Sequence, residues 1–188
     1  VSFEVAMFEL GGHALMLDSR SSQLGRGETI ADTARVLSRF VSSIMYRCHA
    51  HEDLLELAKF ASVPVINGLS DDSHPVQVLA DLQTAAENKI NLATMKACFL
   101  GDFNNVAKSW VDAARVLGFS MVVAAPKSTW PKNSWLTDSL KYKNIKVCED
   151  PLAAAKNADV LNTDTWVSMG ESEKKSTSIF KPYQINQK

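Results

Sequence analysis

The sequence predicts an α/β fold with two lobes, in which parallel sheets are flanked by helices and a long bridging helix joins the lobes. Two observations predict this class. Short, continuously apolar segments alternate with amphipathic helical segments along the 188 residues, which is typical of parallel sheets covered on both faces. The alternation is interrupted once, by a helical pattern over 74–88 that is long enough to connect two lobes.

The first half of the chain is predicted to contain four helices and three strands. The first helix stops at Gly11-Gly12, and because no capping residue precedes it, we expect the natural polypeptide to begin before Val1. Thr29 followed by Asp32 resembles a capping box and predicts the start of the second helix. The helices are predicted over 1–10, 29–40, 51–61 and 74–88, and the strands over 14–18, 43–47 and 64–67.

The second half repeats the alternation. Strands are predicted over 96–101, 120–125, 145–148 and 159–162, and helices over 105–117, 135–142 and 151–157. The long helix between the halves carries an apolar stripe of Val78, Leu79, Leu82 and Ala86. The predicted domains are therefore 1–75 and 92–188, with a bridging helix over 76–91 between them.

Composition excludes several classes of function. Hydrophobic residues make up 46% of the chain, charged residues 22%, and the formal net charge is −1 with both signs scattered, so no basic block indicates nucleic-acid binding. No apolar run approaches the roughly 20 residues of a membrane helix. The three cysteines lack CxxC spacing, and we expect them to be buried and reduced. His49 and His51 have no third ligand at a convincing spacing, so we assign them to a solvated loop and predict no metal site.

Two predicted loops carry side chains suited to an anion. Arg47 ends an apolar strand, where its guanidinium can bind a phosphate or a carbonyl oxygen or, equally well, pair with a carboxylate such as Glu52. His74 and Gln77 flank the start of the long helix, with Pro75 at its first position. Both side chains can donate to an anion or a polarised oxygen there. A histidine that only substitutes for a helix cap is the alternative.

Two later loops carry a different set of polar groups. The segment Gly101-Asp102-Phe103-Asn104-Asn105 follows a strand and opens a helix, but it lacks the second and third glycines of a dinucleotide fingerprint. Helix capping explains one of its two asparagines. Asp164 and Ser168-Met169-Gly170 flank Trp166 after the last strand, and a carboxylate beside hydroxyl and backbone groups suits the ammonium of an amino acid. A surface turn is the alternative.

Taken in order, these loops and Ser21-Ser22-Gln23-Leu24-Gly25 resemble the ornithine carbamoyltransferases. The resemblance runs from Val1 to at least Gly170, and Ser168-Met169-Gly170 resembles the ornithine-specific branch rather than the aspartate or putrescine branches. Further segments resemble the family, namely Ser2-Phe3-Glu4-Val5-Ala6, Asp32-Thr33-Ala34-Arg35-Val36-Leu37, Ser62-Val63-Pro64-Val65 with Asn67-Gly68-Leu69, and Leu79-Ala80-Asp81-Leu82.

The resemblance implies roles for ten residues. Arg47 and His74 would be catalytic, directed at the carbonyl oxygen of carbamoyl phosphate. Gln23 would reach that substrate across the interface of a homotrimer. The implied carbamoyl-phosphate set is Gln23, Arg47, His74, Pro75, Val76 and Gln77, and the implied L-ornithine set is Asn105, Asp164, Ser168 and Met169. The resemblance implies no cofactor and no metal.

The implied reaction transfers the carbamoyl group of carbamoyl phosphate to the δ-amine of L-ornithine, giving L-citrulline and phosphate in arginine metabolism. The family's Ser-Thr-Arg-Thr-Arg segment would precede Val1 and its His-Cys-Leu-Pro loop would follow Lys188. We therefore expect an internal fragment with little or no turnover alone. The implied location is cytoplasmic, or the mitochondrial matrix in a eukaryote. A carbamoyltransferase for another amine such as putrescine, or a non-catalytic α/β binding module, remain the alternatives.

Overall fold

The computed structural model describes residues 1–18, 27–167 and 177–186. The chain forms two compact units, of which the first comprises Val1–Ile44 and Leu55–Val65 and the second comprises Met45–Leu54 and Ile66–Lys188. The division into predicted domains at about 75 and 92 stays a prediction. Within the described ranges, none of the helices combines the length and apolar character of a membrane span.

The first unit contains α1 (Ser2–Glu9) and α2 (Ile30–Leu37). The predicted helix start at Thr29 is confirmed, because the Thr29 hydroxyl caps α2 by accepting a hydrogen bond from the backbone N–H of Asp32 at 3.1 Å. The helix ends at Leu37 and does not continue to Phe40. Ser38 accepts a hydrogen bond from the N–H of Ser62 at 3.0 Å, which joins the end of α2 to the other segment of this unit.

The predicted strand over 14–18 is wrong. No strand is found in this segment, and the side chains of Leu15, Met16 and Leu17 are 70%, 71% and 60% exposed. A strand requires hydrogen bonds to a neighbouring strand, and the described residues supply none here. A short apolar run shows only that burial is favoured, and it does not show that a partner is within reach.

Two short strands, β1 (Ile44–Arg47) and β2 (Val65–Leu69), form a two-stranded sheet. The N–H of Ile44 donates to the carbonyl of Pro64, and the N–H of Cys48 donates to the carbonyl of Leu69. These bonds advance along both segments in the same direction, as in a parallel pair. The chain between them forms α3 (His51–Phe60), close to the predicted helix over 51–61.

The main sheet has four parallel strands in the order β5-β4-β3-β6. They are β3 (Lys96–Leu100), β4 (Ser120–Ala124), β5 (Ile145–Cys148) and β6 (Val160–Asn162), which confirms the α/β class. The central strand β3 pairs with β4 on one side and with β6 on the other, so the strand order reverses at β3. The loops after β3 and β6 therefore border the crevice in which open α/β sheets bind ligands.

Four helices accompany this sheet, namely α4 (Pro75–Glu87), α5 (Asn105–Leu117), α6 (Ser134–Ser139) and α7 (Pro151–Ala155). Two 3-10 turns, Lys127–Thr129 and Thr177–Tyr183, were not predicted. The main core packs Trp110 of α5 against Phe99, Phe119 and Met121, each at most 1% exposed. Burying such a side chain contributes about 1.5–3 kcal/mol.

The buried face of α4 differs from the predicted stripe. Val78, Leu82 and Ala85 are buried, whereas Leu79 is 65% exposed and Ala86 is exposed. Residues at spacings of four and three lie on one helix face. Leu79 lies about 100° around the helix from Val78 and faces away from that contact.

Candidate ligand-binding site

A cleft of about 830 Å³ lies in the second unit, at the end of the sheet where the strand order reverses. Five of the predicted site residues line it together: Arg47, His74, Gln77, Asn105 and Asp164. Residues without a predicted role also line it, including His49, Asp71, Asp81, Ser128, Thr129 and Asn162. Arg47 and Asp164, which are 117 positions apart in the chain, thus share one surface.

His74 is held at the start of α4 by its backbone. Its N–H donates to the Ser109 hydroxyl at 2.8 Å, and that hydroxyl donates to the carbonyl of Asn105 at 2.8 Å. The imidazole Nδ1 is buried and has no hydrogen-bond partner among the described residues. Burial and the positive charge of Arg47 lower the pKa of His74, which favours the neutral ring at pH 7. A neutral imidazole donates through one nitrogen only.

Gln77 lies one turn further along α4. Its Nε2 donates to Oδ1 of Asp81 at 2.9 Å, and Oδ2 of Asp81 accepts from Nδ2 of Asn162 at 3.2 Å. The half-buried Asp81 carboxylate therefore connects the first turns of α4 with the end of β6. This connection fixes the position of the Gln77 amide at the edge of the cleft.

Asn104 connects α5 with the loop after β6. Its Oδ1 caps α5 by accepting from the N–H groups of Val106 and Ala107, both at 3.1 Å. Its Nδ2 donates to Oδ2 of Asp164 at 2.7 Å, while Oδ1 of Asp164 accepts from the N–H of Thr165 at 2.7 Å. Each carboxylate oxygen retains acceptor capacity. The Asp164 side chain is therefore fixed in place and still able to bind a cation.

Asn105 and the loop before α4 are joined by a second network. Asn105 Nδ2 donates to the carbonyl of Ser70 at 2.8 Å, and the buried Ser70 hydroxyl accepts from the N–H of Ser73 at 3.2 Å. Nδ1 of His51 lies 2.8 Å from the Ser70 hydroxyl. The assignment of His51 to a solvated loop is wrong, because this half-buried residue begins α3 and is hydrogen-bonded. His49 is exposed, and no cluster of potential metal ligands occurs in the described parts of the chain.

The other predicted site residues are placed differently. Pro75 occupies the first turn of α4 and is exposed, Val76 is half-buried, and neither lines the cleft. Gln23, Ser168 and Met169 lie outside the described residues. The roles implied for all five stay predictions.

The cleft combines charges of both signs. Arg47 is the last residue of β1, and the hydrogen-bond donors of His74 and Gln77 lie at the start of α4. The carboxylates of Asp102 and Asp164 come from the loops after β3 and β6, and Asp102 is only 8% exposed. Opposite charges favour opposite ends of a ligand. The arrangement suits one anionic and one cationic group held in the same crevice.

Comparison with family models matches nearly the whole chain. Residues 1–87 match the aspartate/ornithine carbamoyltransferase, carbamoyl-P binding domain, and residues 93–188 match the aspartate/ornithine carbamoyltransferase, Asp/Orn binding domain.

Curated relatives and solved structures agree with these models. The ornithine carbamoyltransferase of Methanospirillum hungatei is 47% identical over 99% of this chain and 63% of its own length, and that of Campylobacter fetus is 51% identical over 95% and 60%. The solved ornithine carbamoyltransferase of Pyrococcus furiosus is 48% identical with a TM-score of 0.88, covering 99% of this chain and 62% of its own. The anabolic enzyme of Campylobacter jejuni is 42% identical with a TM-score of 0.92, covering 99% and 64%. The chain thus spans about 60% of the length of these relatives.

Proposed function

Because the chain belongs to the aspartate/ornithine carbamoyltransferase family, we propose that the protein transfers the carbamoyl group of carbamoyl phosphate to the δ-amine of L-ornithine, giving L-citrulline and phosphate. One observation carries the proposal. The family resemblance gives substrate roles to ten residues, and five of them line one cleft, namely Arg47, His74, Gln77, Asn105 and Asp164. The relatives named above are ornithine carbamoyltransferases.

The donors on one side of the cleft suit carbamoyl phosphate. The guanidinium of Arg47 and the neutral imidazole of His74 would both donate to its carbonyl oxygen. Attack by an amine converts this carbonyl into a tetrahedral oxyanion, and donors aimed at the oxygen stabilise the charge that develops. A neutral His74 requires no reorganisation of charge before it donates. These two residues would therefore lower the barrier to attack.

The other side of the cleft suits an amino acid. Asp164 would hold the α-ammonium, and Asn105 would contact the α-amino or α-carboxylate end. The δ-nitrogen must attack as the neutral amine, because an ammonium has no lone pair. A C–N bond forms, the C–O bond to phosphate breaks, and the nitrogen loses one proton, which the released phosphate can accept. Holding both substrates in one crevice supplies much of the acceleration.

The test is citrulline formation by the natural polypeptide that carries this sequence. We expect citrulline from ornithine and carbamoyl phosphate, much less product from putrescine, and a large loss of activity in Arg47→Met. Putrescine lacks the α-ammonium and α-carboxylate that Asp164 and Asn105 would bind. A preference for putrescine would favour the rival amine specificity, and binding of both substrates without turnover would favour the non-catalytic module.

We further propose a role in arginine metabolism, without assigning its direction. The Pyrococcus furiosus relative is named anabolic and the Thermoplasma acidophilum relative is named catabolic, at 49% and 45% identity. A homotrimer and a cytoplasmic location, with the mitochondrial matrix as the eukaryotic alternative, stay predictions. Sedimentation equilibrium of the natural polypeptide tests the first and fractionation of its host cell tests the second.

A further inference from the structure

Asp81 lies at the cleft without a role in the predicted site. Both of its carboxylate oxygens are used, Oδ1 by the Gln77 amide at 2.9 Å and Oδ2 by the Asn162 amide at 3.2 Å. The two donors come from different elements, α4 and the end of β6. The carboxylate is therefore held from two sides, and it in turn holds the side chain of Gln77.

The chemistry of this contact fixes which end of the Gln77 amide is nitrogen. An ionised carboxylate can only accept hydrogen bonds, so only Nε2 of Gln77 can face Asp81. Its Oε1 is left as an acceptor for another partner at the cleft. Without Asp81, the amide could turn by about 180° at little cost, since its oxygen and nitrogen ends are nearly equal in size.

We propose that Asp81 is a positioning residue that makes the site selective for a carbamoyl group over other acyl groups. By fixing the Gln77 amide, it presents Oε1 to the carbamoyl amino group, which must donate. A methyl group in the same place cannot donate and leaves that oxygen without a partner. The inference rests on the proposed function, because it requires a carbamoyl compound to lie against Gln77.

Two stable phosphonates test the proposal. Phosphonoacetamide carries the carbamoyl amino group, and acetonylphosphonate has a methyl group in its place. We expect calorimetric titration of the natural polypeptide to show that phosphonoacetamide binds about tenfold more tightly than acetonylphosphonate. This ratio corresponds to the free energy between making one hydrogen bond to Oε1 and leaving Oε1 without a partner. In Asp81→Asn, the new side-chain amide can accept or donate, so Gln77 can face it with either end of its own amide. We therefore expect the affinity ratio to fall to about three or less.

The same helix supplies a matched control. Gln83 donates to Glu87 at 2.9 Å with the same spacing of four residues, and neither residue lines the cleft. Glu87→Gln should therefore keep the wild-type ratio. A variant that only loses stability weakens the binding of both phosphonates together and leaves their ratio unchanged. If Asp81→Asn does not fold, Asp81→Ser also removes the obligate acceptor and takes its place.

The outcomes separate the two proposals. If the wild type binds neither phosphonate, the proposed function is wrong at this site. If the wild type prefers phosphonoacetamide tenfold and the Asp81 variant keeps that preference, the positioning role is wrong while the proposed function stands. A ratio that falls in Asp81→Asn and is unchanged in Glu87→Gln supports the proposal.

Discussion

Asn104 combines two roles that substitutions can separate. Its Oδ1 caps α5 through the N–H groups of Val106 and Ala107, and its Nδ2 donates to Asp164. Asn104→Ala removes both interactions. Asn104→Ser keeps a hydroxyl that can cap the helix, but it removes the amide that holds the carboxylate. The two variants therefore report on the cap and on the contact with Asp164.

The expected magnitudes follow from these contacts. Loss of a helix cap costs about 1 kcal/mol. A hydrogen bond to a charged group contributes about 1.5–3 kcal/mol, and we take the lower end because Asn104 and Asp164 are only half-buried. Asn104→Ala should thus lower the free energy of unfolding by about 2.5 kcal/mol and Asn104→Ser by about 1.5 kcal/mol.

Urea unfolding followed by circular dichroism measures both values, with a matched control in α7. Asp150 caps that helix through the N–H groups of Leu152 and Ala153, and it does not line the cleft. Asp150→Ala should lose a cap, whereas Asp150→Ser should be close to the wild type. An Asn104→Ser variant as stable as the wild type would contradict this prediction, because the bond to Asp164 would then contribute nothing.

Four further results are expected. Because burial and the charge of Arg47 lower the pKa of His74 from 6.5, Arg47→Met should raise it in an NMR titration, and an unchanged pKa would exclude that cause. Because the pKa of His74 is lower in the folded than in the unfolded chain, protonation of His74 reduces stability as pH falls below about 6.5. The full loss is reached below the folded-state pKa. Replacing His74 should therefore lessen the acid destabilisation seen in unfolding experiments. Ser109→Ala leaves the N–H of His74 without its partner, whereas the buried hydroxyl of Ser139 only donates to the carbonyl one turn earlier. Ser109→Ala should therefore lower the free energy of unfolding by about 1–3 kcal/mol more than Ser139→Ala. Equal losses of unfolding free energy would contradict this. Burial raises the pKa of Cys98 to about 12, so mass spectrometry should detect its alkylation at pH 8 only after unfolding, and rapid alkylation of the folded chain would refute the burial argument.

Local signals in the sequence were sufficient for several elements. The helix predicted over 105–117 has those bounds because Asn104 caps its start and Gly118 adopts a left-handed conformation at its end, with φ of 84°. The segment over 14–18 failed because its apolar run carries no information about a partner strand. Caps and turns are local, whereas strand pairing depends on distant parts of the chain.

The same distinction explains the site. Arg47 and His74 could be predicted because both lie at or beyond the end of an apolar strand, and the loops after parallel strands border the crevice. The order of these loops along the chain also matched a known family. The connection from Asp81 to Asn162 joins residues 81 positions apart. An aspartate four residues after Gln77 on a helix is also typical of a solvated surface. Only the fold shows that this carboxylate faces the end of β6.

The proposed function requires an anionic carbamoyl donor and an amino acid to bind side by side in one cleft. Its most direct test is the affinity of the natural polypeptide for a single compound in which a phosphonoacetyl group is joined to the δ-nitrogen of ornithine. We expect this compound to bind far more tightly than phosphonoacetamide or ornithine alone, and both Arg47→Met and Asp164→Asn to weaken it. Binding that is no tighter than that of one half, or that only one of the two substitutions weakens, would contradict a shared cleft.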